Sequence, residues 1–254
     1  MARFDWLTAR PVAHRGYHDR TQGRIENTIS AVAAAVKRRF AVEIDLRLTA
    51  DEEIIVFHDD TLDRLTEASG PVDRLTLSAL RATRLRDCNE PIPTLDEVLE
   101  EIGGRTGLFL EVKSNWSGDR RLERAVARAL AGYAGSVAVM SFDPRAVSAL
   151  RHLAPHLPRG LVAGRFTSTE EHSLPPHHRF AYRHLLAASF ALPNFVAYEV
   201  QALPASAPMM IRHAFGLPLL TWTVRTDDER EIAKRWADQM IFEGFNPNQR
   251  SRAA

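Results

Sequence analysis

Short apolar runs recur along the chain, separated by longer stretches in which apolar positions return every three or four residues. The runs are PVAHRG (11–16), AVEIDL (41–46), GLFLEVK (107–113), SVAVMSF (136–142), RGLVAG (159–164), FVAYEV (195–200), PLLTWTV (218–224) and QMIFEG (239–244). Between most of them lie helical patterns: NTISAVAAAVKRR (27–39), DRRLERAVARALAGY (119–133), DPRAVSALRHLA (143–154) and TDDEREIAKRWA (226–237). Asn27, Asp143 with Pro144 behind it, and Thr226 are the expected N-caps. Strand–helix alternation of this kind builds parallel strands joined by right-handed crossovers. Eight such strands in 254 residues predict an α/β fold, a TIM (β/α)8 barrel forming one domain over 1–254. No glycine-rich phosphate loop follows any strand, which argues against a dinucleotide-binding open sheet.

The pattern breaks in two places. From about 60 to 93 no core strand is evident, and SGPVDRLTLSALRATRLRDCNEPIP reads as turns plus one short helix. This is an insertion on one rim, after which TLDEVLEEI restores the helical period. The last strand ends ten residues before the chain does, too few for a full eighth helix, and FDWL (4–7) is expected to help cover the gap.

The stretch FAVEIDLRLTADEEIIVFHDD (40–60) carries Glu43 and Asp45 where a core strand would carry Val or Ile. TADEE is too short for a parallel crossover, so IIVFHD (54–59) must return antiparallel to the strand before it. A loop over Ala50 to Glu53 sets Thr49 opposite Ile54 and Asp45 opposite His58. Glu43 and Asp45, two apart, share one face of their strand, and His58 joins them. Inward carboxylates repel unless a cation lies between them, and a hard divalent ion suits oxygen ligands at this spacing. The plainer alternative is an edge strand turning its acids to water.

Other strands weigh against that alternative. GLFLEVK ends with Glu111 and Lys113 on one face, and PVAHRG ends in His14 and Arg15. Reactive groups of α/β barrels gather at the C-terminal ends of strands. Glu43, Asp45 and Glu111 can hold one divalent metal, Arg15 and Lys113 can neutralise a phosphate, and His14 and His58 can exchange protons. Together they are the parts needed to cleave a phosphodiester.

Composition narrows the partners. Lys plus Arg is 33 and Asp plus Glu is 32, a net charge of +1, so no surplus argues for nucleic acid or an anionic membrane surface. The single cysteine, Cys88, excludes an intrachain disulfide and suits a reducing compartment. No apolar leader opens the chain, and no run approaches the ~18 residues a membrane span needs. A cytoplasmic protein without stable membrane insertion is the expectation; its oligomeric state is not legible.

At HRG (14–16), ENT (26–28), EIDLRLTADEEIIVFHDDTLDR (43–64), IPTLDEVL (92–99) and EVK (111–113) the sequence resembles the glycerophosphodiester phosphodiesterases, with weaker likeness at SFDPRAV (141–147) and TWTV (221–224). The resemblance implies a TIM barrel with a small insertion after the second strand. It implies hydrolysis of small glycerophosphodiesters, such as glycerophosphocholine or glycerophosphoethanolamine, to glycerol 3-phosphate and an alcohol. It also implies Glu43, Asp45 and Glu111 as ligands of one divalent ion, Mg²⁺ or Ca²⁺ with Mn²⁺ also able to serve. His14 and His58 become the acid–base pair, Arg15 and Lys113 the phosphate contacts, and Glu26 and Asn27 neighbours of the site. The match loosens at the last strand, where the chain reads IFEGFNP with Glu243 and Asn246.

Several residues admit two readings. Glu199, at a strand end, lines the pocket or ends in an ion pair. Trp222 walls the pocket, meeting a choline headgroup by cation–π attraction, or belongs to the core. His172, His177 and His178 read as a solvated loop rather than a metal site, Asp59 and Asp63 as caps and pairs within the insertion, and Cys88 as inert. Two rival functions stand beside the diesterase: a phospholipase of C or D type acting on intact or lyso-phospholipids, and a non-catalytic barrel binding a phosphorylated ligand. The intact set of carboxylates and histidines disfavours the second.

Overall fold

The computed structural model describes residues 2–166 and 174–249. Among the described residues nine strands form one sheet: β1 Val12–Ala13, β2 Ala41–Leu48, β3 Ile54–Val56, β4 Leu108–Val112, β5 Val137–Ser141, β6 Arg159–Ala163, β7 Phe195–Glu199, β8 Leu219–Val224 and β9 Gln239–Phe242. Eight of them are parallel in the order β1-β9-β8-β7-β6-β5-β4-β2, and a β1–β2 pairing closes the barrel. The ninth, β3, returns antiparallel along the end of β2. The helices are α1 Ile29–Lys37, α2 Leu77–Ala82, α3 Leu95–Ile102, α4 Arg121–Ala129, α5 Pro144–Leu153, α6 Pro176–Arg183, α7 Ala188–Ala191, α8 Ser206–His213 and α9 Asp227–Trp236. The expected TIM barrel is the observed fold.

The two faces of each strand go to different places, as a side-chain period of two requires. On β2 the even positions Val42, Ile44 and Leu46 pack outward with Val32 and Ala35 of α1 and Val98 and Ile102 of α3. Its odd positions face the lumen, beginning with Ala41, which joins Phe109, Phe195, Leu220 and Ile241 in an apolar plug. Within that plug the Phe109 and Phe195 rings meet edge to face at 5.8 Å.

Helix starts follow local chemistry. Thr226 with Glu229, and Thr94 with Glu97, form capping boxes, and Asp143 caps α5 with Pro144 next. The cap of α1 differs from the expectation: it is Thr28, whose hydroxyl accepts from Ala31 N. Asn27 is instead turned at φ 60° toward the lumen, because its side chain is engaged elsewhere.

One further expectation is corrected. Leu48 pairs with Ile54, so the hairpin register is one residue from the predicted one and Asp45 lies opposite Phe57. The turn is one residue longer, with Glu52 at φ 63°, and His58 lies beyond the strand. The FDWL segment lies at the start of β9: Leu7 shares the apolar plug with Ile241, and Gln239 Nε2 donates to Thr8 O at 2.9 Å. Leu7 is buried in the apolar plug and the Trp6 ring lies 5.3 Å from Phe109, so the segment seals the foot of the barrel. A Cβ on Gly107 would meet Trp6 at 2.7 Å, which is why glycine immediately precedes β4. Residues 60–93 hold α2 and isolated bridges around their own small core, with Phe57, Leu62, Leu65, Val72 and Leu80 buried together.

Candidate active site

Two residues above the apolar plug, the lumen changes character. Ala41 gives way to Glu43 and then Asp45 along β2, and Phe109 gives way to Glu111 and Lys113 along β4. Asp45 and Glu111 are register partners on adjacent strands. One carboxylate oxygen from each of Glu43, Asp45 and Glu111 lies within 4.8 Å of the others, and all three residues are buried.

Fixed cations and amides surround this cluster. Lys113 Nζ lies 3.0 Å from Asp45 Oδ1 and 2.6 Å from Glu111 Oε1. Arg15 Nε is 3.4 Å from Asp45 Oδ2, its guanidinium donates to Glu26 Oε1 at 2.6 Å, and its backbone N donates to Glu43 Oε2 at 2.9 Å. That backbone contact needs a sharp turn after β1, with Arg15 at φ 54° and Gly16 at φ 78°. A Cβ on Gly16 would meet the Ala31 backbone at 2.9 Å. Asn27 donates to Asp45 Oδ2 at 2.9 Å and accepts from Asp45 N at 3.2 Å.

The three carboxylates are not equivalent. Burial opposes ionisation of Asp45, yet Lys113, His58 and Arg15 outweigh it and hold its carboxyl well below the usual range. Burial, then the charges of Asp45 and Glu111, push Glu43 well above its usual value. Glu43 Oε1 is buried and without a hydrogen-bond partner. A buried, unpartnered carboxylate oxygen facing two other carboxylates fits a divalent cation with oxygen ligands. Lys113 stays charged: burial lowers its proton affinity, but Asp45 and Glu111 raise it further.

The two histidines are each gripped by a carboxylate. His14 Nδ1 bonds Glu243 Oε2 at 2.8 Å, and His58 Nδ1 bonds Asp59 Oδ1 at 2.7 Å. Carboxylates only accept, so each contact places a proton on Nδ1 and leaves Nε2 for other work. The Nε2 of His14 lies 3.9 Å from Glu43 Oε2. Burial pushes the His14 proton affinity down, and the Glu243 bond offsets this only in part. Glu243 is itself held low: burial opposes, but His14, His18 and Arg225 prevail.

One arginine links the two histidine neighbourhoods. Arg64 donates to Asp59 at 2.6 and 3.0 Å and to Glu26 at 2.9 and 2.7 Å. Asp59 therefore serves His58 and Arg64 rather than acting as a cap, whereas Asp63 accepts from Gly70 N within the insertion.

An open cavity of about 1760 Å³ lies over the cluster, lined among others by His14, Arg15, Glu43, His58, Glu111 and Lys113. Glu199 and Trp222 line it as well. Glu199 is also paired, bonding the Arg165 side chain and backbone N, so its two readings coexist. Trp222 donates from Nε1 to Ala197 O at 3.1 Å and meets Phe142 edge to face at 5.3 Å. His177 and His178 are exposed on α6 and join no metal-ligating cluster among the described residues; His172 lies outside them. Burial raises the Cys88 thiol pKa, as an inert cysteine requires.

Glu243, Arg225 and Arg64 were not singled out in the sequence as site residues. Glu243, directly after β9, is an acid at the C-terminal end of a barrel strand, the same signal that marks Glu111.

The chain also resembles known proteins. A profile of the Glycerophosphoryl diester phosphodiesterase family matches residues 14–247. YhdW of Bacillus subtilis is 35% identical over 160 residues, 59% of this chain and 64% of that protein. The glycerophosphodiester phosphodiesterase of Caldanaerobacter subterraneus subsp. tengcongensis is 32% identical over 161 residues, 59% of this chain and 65% of that one. The matched region thus spans just under two thirds of these relatives. An Oleispira antarctica phosphodiesterase, solved in complex with the product sn-glycerol-3-phosphate, superposes with a TM-score of 0.76. Its identity is 22%, over 93% of this chain and 94% of that one, so the likeness is one of fold.

Proposed function

The chain belongs to the glycerophosphoryl diester phosphodiesterase family, and on that premise we propose that residues 1–254 act as one catalytic unit hydrolysing small glycerophosphodiesters to glycerol 3-phosphate and an alcohol. One observation carries the reading: two histidines, each anchored at Nδ1 by a carboxylate, line the same cavity as the Glu43–Glu111–Lys113 cluster and Arg15.

Arg15 and Lys113 receive the phosphate, their positive charge held in place by buried acids. His14, whose proton affinity burial lowers, is neutral near pH 7 and serves as base. Its Nε2 takes the proton from the glycerol hydroxyl next to the phosphate, and that oxygen attacks phosphorus to close a cyclic phosphate. The ester bond to the alcohol breaks as His58 hands that oxygen a proton, and water then opens the ring with the histidine roles reversed. Glu243 and Asp59 steady the charge that each imidazole gains.

Glu43, Asp45 and Glu111 would hold a divalent ion, Mg²⁺ or Ca²⁺ with Mn²⁺ as a further choice. Such an ion, when bound, supplies Lewis-acid stabilisation of phosphoryl oxygens. Glu26 and Asn27 support Arg15 and Asp45, while Trp222 and Glu199 border the leaving-group side. A cytoplasmic setting suits the lone cysteine, and no helix among the described residues is long and apolar enough to cross a membrane.

One observation favours a second reading. The cavity, at about 1760 Å³, exceeds the ~300–1,000 Å³ of common small-ligand pockets, which leaves room for a lyso-phospholipid.

The test is glycerol 3-phosphate release from glycerophosphocholine and glycerophosphoethanolamine by EDTA-treated protein, with and without added Mg²⁺ or Ca²⁺. Restoration by metal, abolished in Glu43→Ala, supports the reading. Full release in the continued presence of EDTA would remove the metal from the account, and no release with any metal would direct attention to lyso-phospholipid.

A further inference from the structure

The near-equal totals of basic and acidic residues hide a local segregation. Between Glu171 and Glu199 the sequence contains no Asp or Glu, in a chain that has 32 of them in 254 residues. About half of the described part of this stretch folds as α6 and α7, and the stretch turns large apolar side chains to the surface. Phe180 is 60% exposed, Leu186 58%, Phe190 56% and Leu192 48%. Leu153, at the end of α5 against which α7 packs, is also exposed. Soluble surfaces carry such residues singly, whereas these are concentrated in one short stretch.

The basic residues of the stretch are unspent. Arg179 and Arg183 make no ion pair among the described residues, and Arg183 and His184 are exposed beside Phe180, whose ring lies 4.4 Å from that of His184. Arginines elsewhere around the cavity are tied to acids, as Arg47 is to Asp60, Arg165 to Glu199 and Arg225 to Glu243. The patch adjoins the cavity: Tyr182 on α6 stacks at 5.7 Å on Trp116, which lines it.

We propose that the α6–α7 face docks on an anionic phospholipid surface, with Phe180, Leu186 and Phe190 entering the headgroup boundary and Arg183, beside the half-buried Arg179, meeting lipid phosphates. Aromatic and leucine side chains beside unpaired arginines, with no acid between them, match the chemistry of such a boundary. Charge argues against a second copy as the occupant, because a two-fold contact on this face would oppose arginines to arginines with no acid of the stretch to pair them. Docking there sets the cavity mouth beside the membrane. This purpose rests on the diesterase reading, but lipid contact itself does not.

Vesicle flotation of the full chain tests the proposal, using phosphatidylcholine alone or with phosphatidylglycerol, at low and high salt. Hydrolysis of water-soluble glycerophosphocholine is measured on the same preparations. The expected result is flotation with the anionic vesicles only, weakened by salt, reduced about fivefold by Arg183→Gln and lost in Phe180→Ser/Phe190→Ser, with soluble hydrolysis unchanged throughout. Absence of flotation, equal flotation with neutral vesicles, or flotation indifferent to both variants would overturn it. So would a dimer in light scattering that Phe180→Ser/Phe190→Ser dissolves, which assigns the face to a second copy. Failed flotation with intact hydrolysis sinks this proposal alone; failed hydrolysis with intact flotation sinks the diesterase reading alone.

Discussion

Strands β2 and β4 build two lumen layers only two residues apart, and the layers obey opposite rules. The lower one, with Ala41, Phe109 and Leu7, is stabilised by removing apolar surface from water. The upper one buries Glu43, Asp45, Glu111 and Lys113, whose desolvation must be offset by partners. In the lower layer every residue adds to stability. In the upper layer Lys113 and Arg15 compensate the charge of Asp45, while Glu43 is left with a raised proton affinity and an unpartnered oxygen. The difference marks where the fold gives up stability for chemistry.

Substitution can break that contrast most sharply at the histidine. His14→Ala is expected to lower turnover by about 10²–10⁴-fold, the usual worth of a general base, while the melting temperature stays close to that of the parent. Phe109→Ala is expected to do the reverse, costing about 3–5 kcal/mol of unfolding free energy by denaturant titration while the folded fraction keeps its activity.

A smaller effect separates anchor from actor. Glu243→Gln keeps the shape but weakens the hold on His14 Nδ1, so turnover should fall roughly 10–100-fold, the worth of a charge-assisted hydrogen bond. The fall should lie mainly in kcat, with KM little changed. A loss as deep as that of His14→Ala would make Glu243 more than an anchor.

Stability against pH sharpens the comparison from the other side. In metal-stripped protein Glu43→Gln should raise the melting temperature by about 2–4 °C near neutrality, equivalent to ~1 kcal/mol. Because the folded-state pKa of Glu43 is raised, this advantage should shrink as pH falls and the parent carboxyl protonates. Glu26 behaves oppositely. Burial pushes its carboxyl up, but Arg64 and Arg15 outweigh this and hold it down to about 2. Its contribution is fully present above the ordinary value of 4.5 and is lost as pH falls through about 2. Thermal melts of the parent and Glu26→Gln across that window should converge at the acid end.

What was legible in the sequence was local. Period-two alternation placed Glu43 with Asp45 and Glu111 with Lys113, and strand–helix alternation revealed the closed barrel. What was hidden depended on chain closure or on a single turn. Glu243 meets His14 across 229 residues, a contact that exists only because β9 lies beside β1. Arg64 and Glu26 meet across 38 residues through the insertion. Asn27 looked like a cap because its type favours one, and its bonds to Asp45 lie outside any local pattern. The hairpin slipped by one because the turn took an extra residue with Glu52 at positive φ.

The most direct measurement is phosphorus NMR of glycerophosphocholine turnover by the metal-loaded protein and by His14→Ala. The account predicts glycerol 3-phosphate and free choline from the parent and at most a hundredth of that rate from the variant. Phosphocholine as the product, or undiminished turnover by His14→Ala, would contradict it.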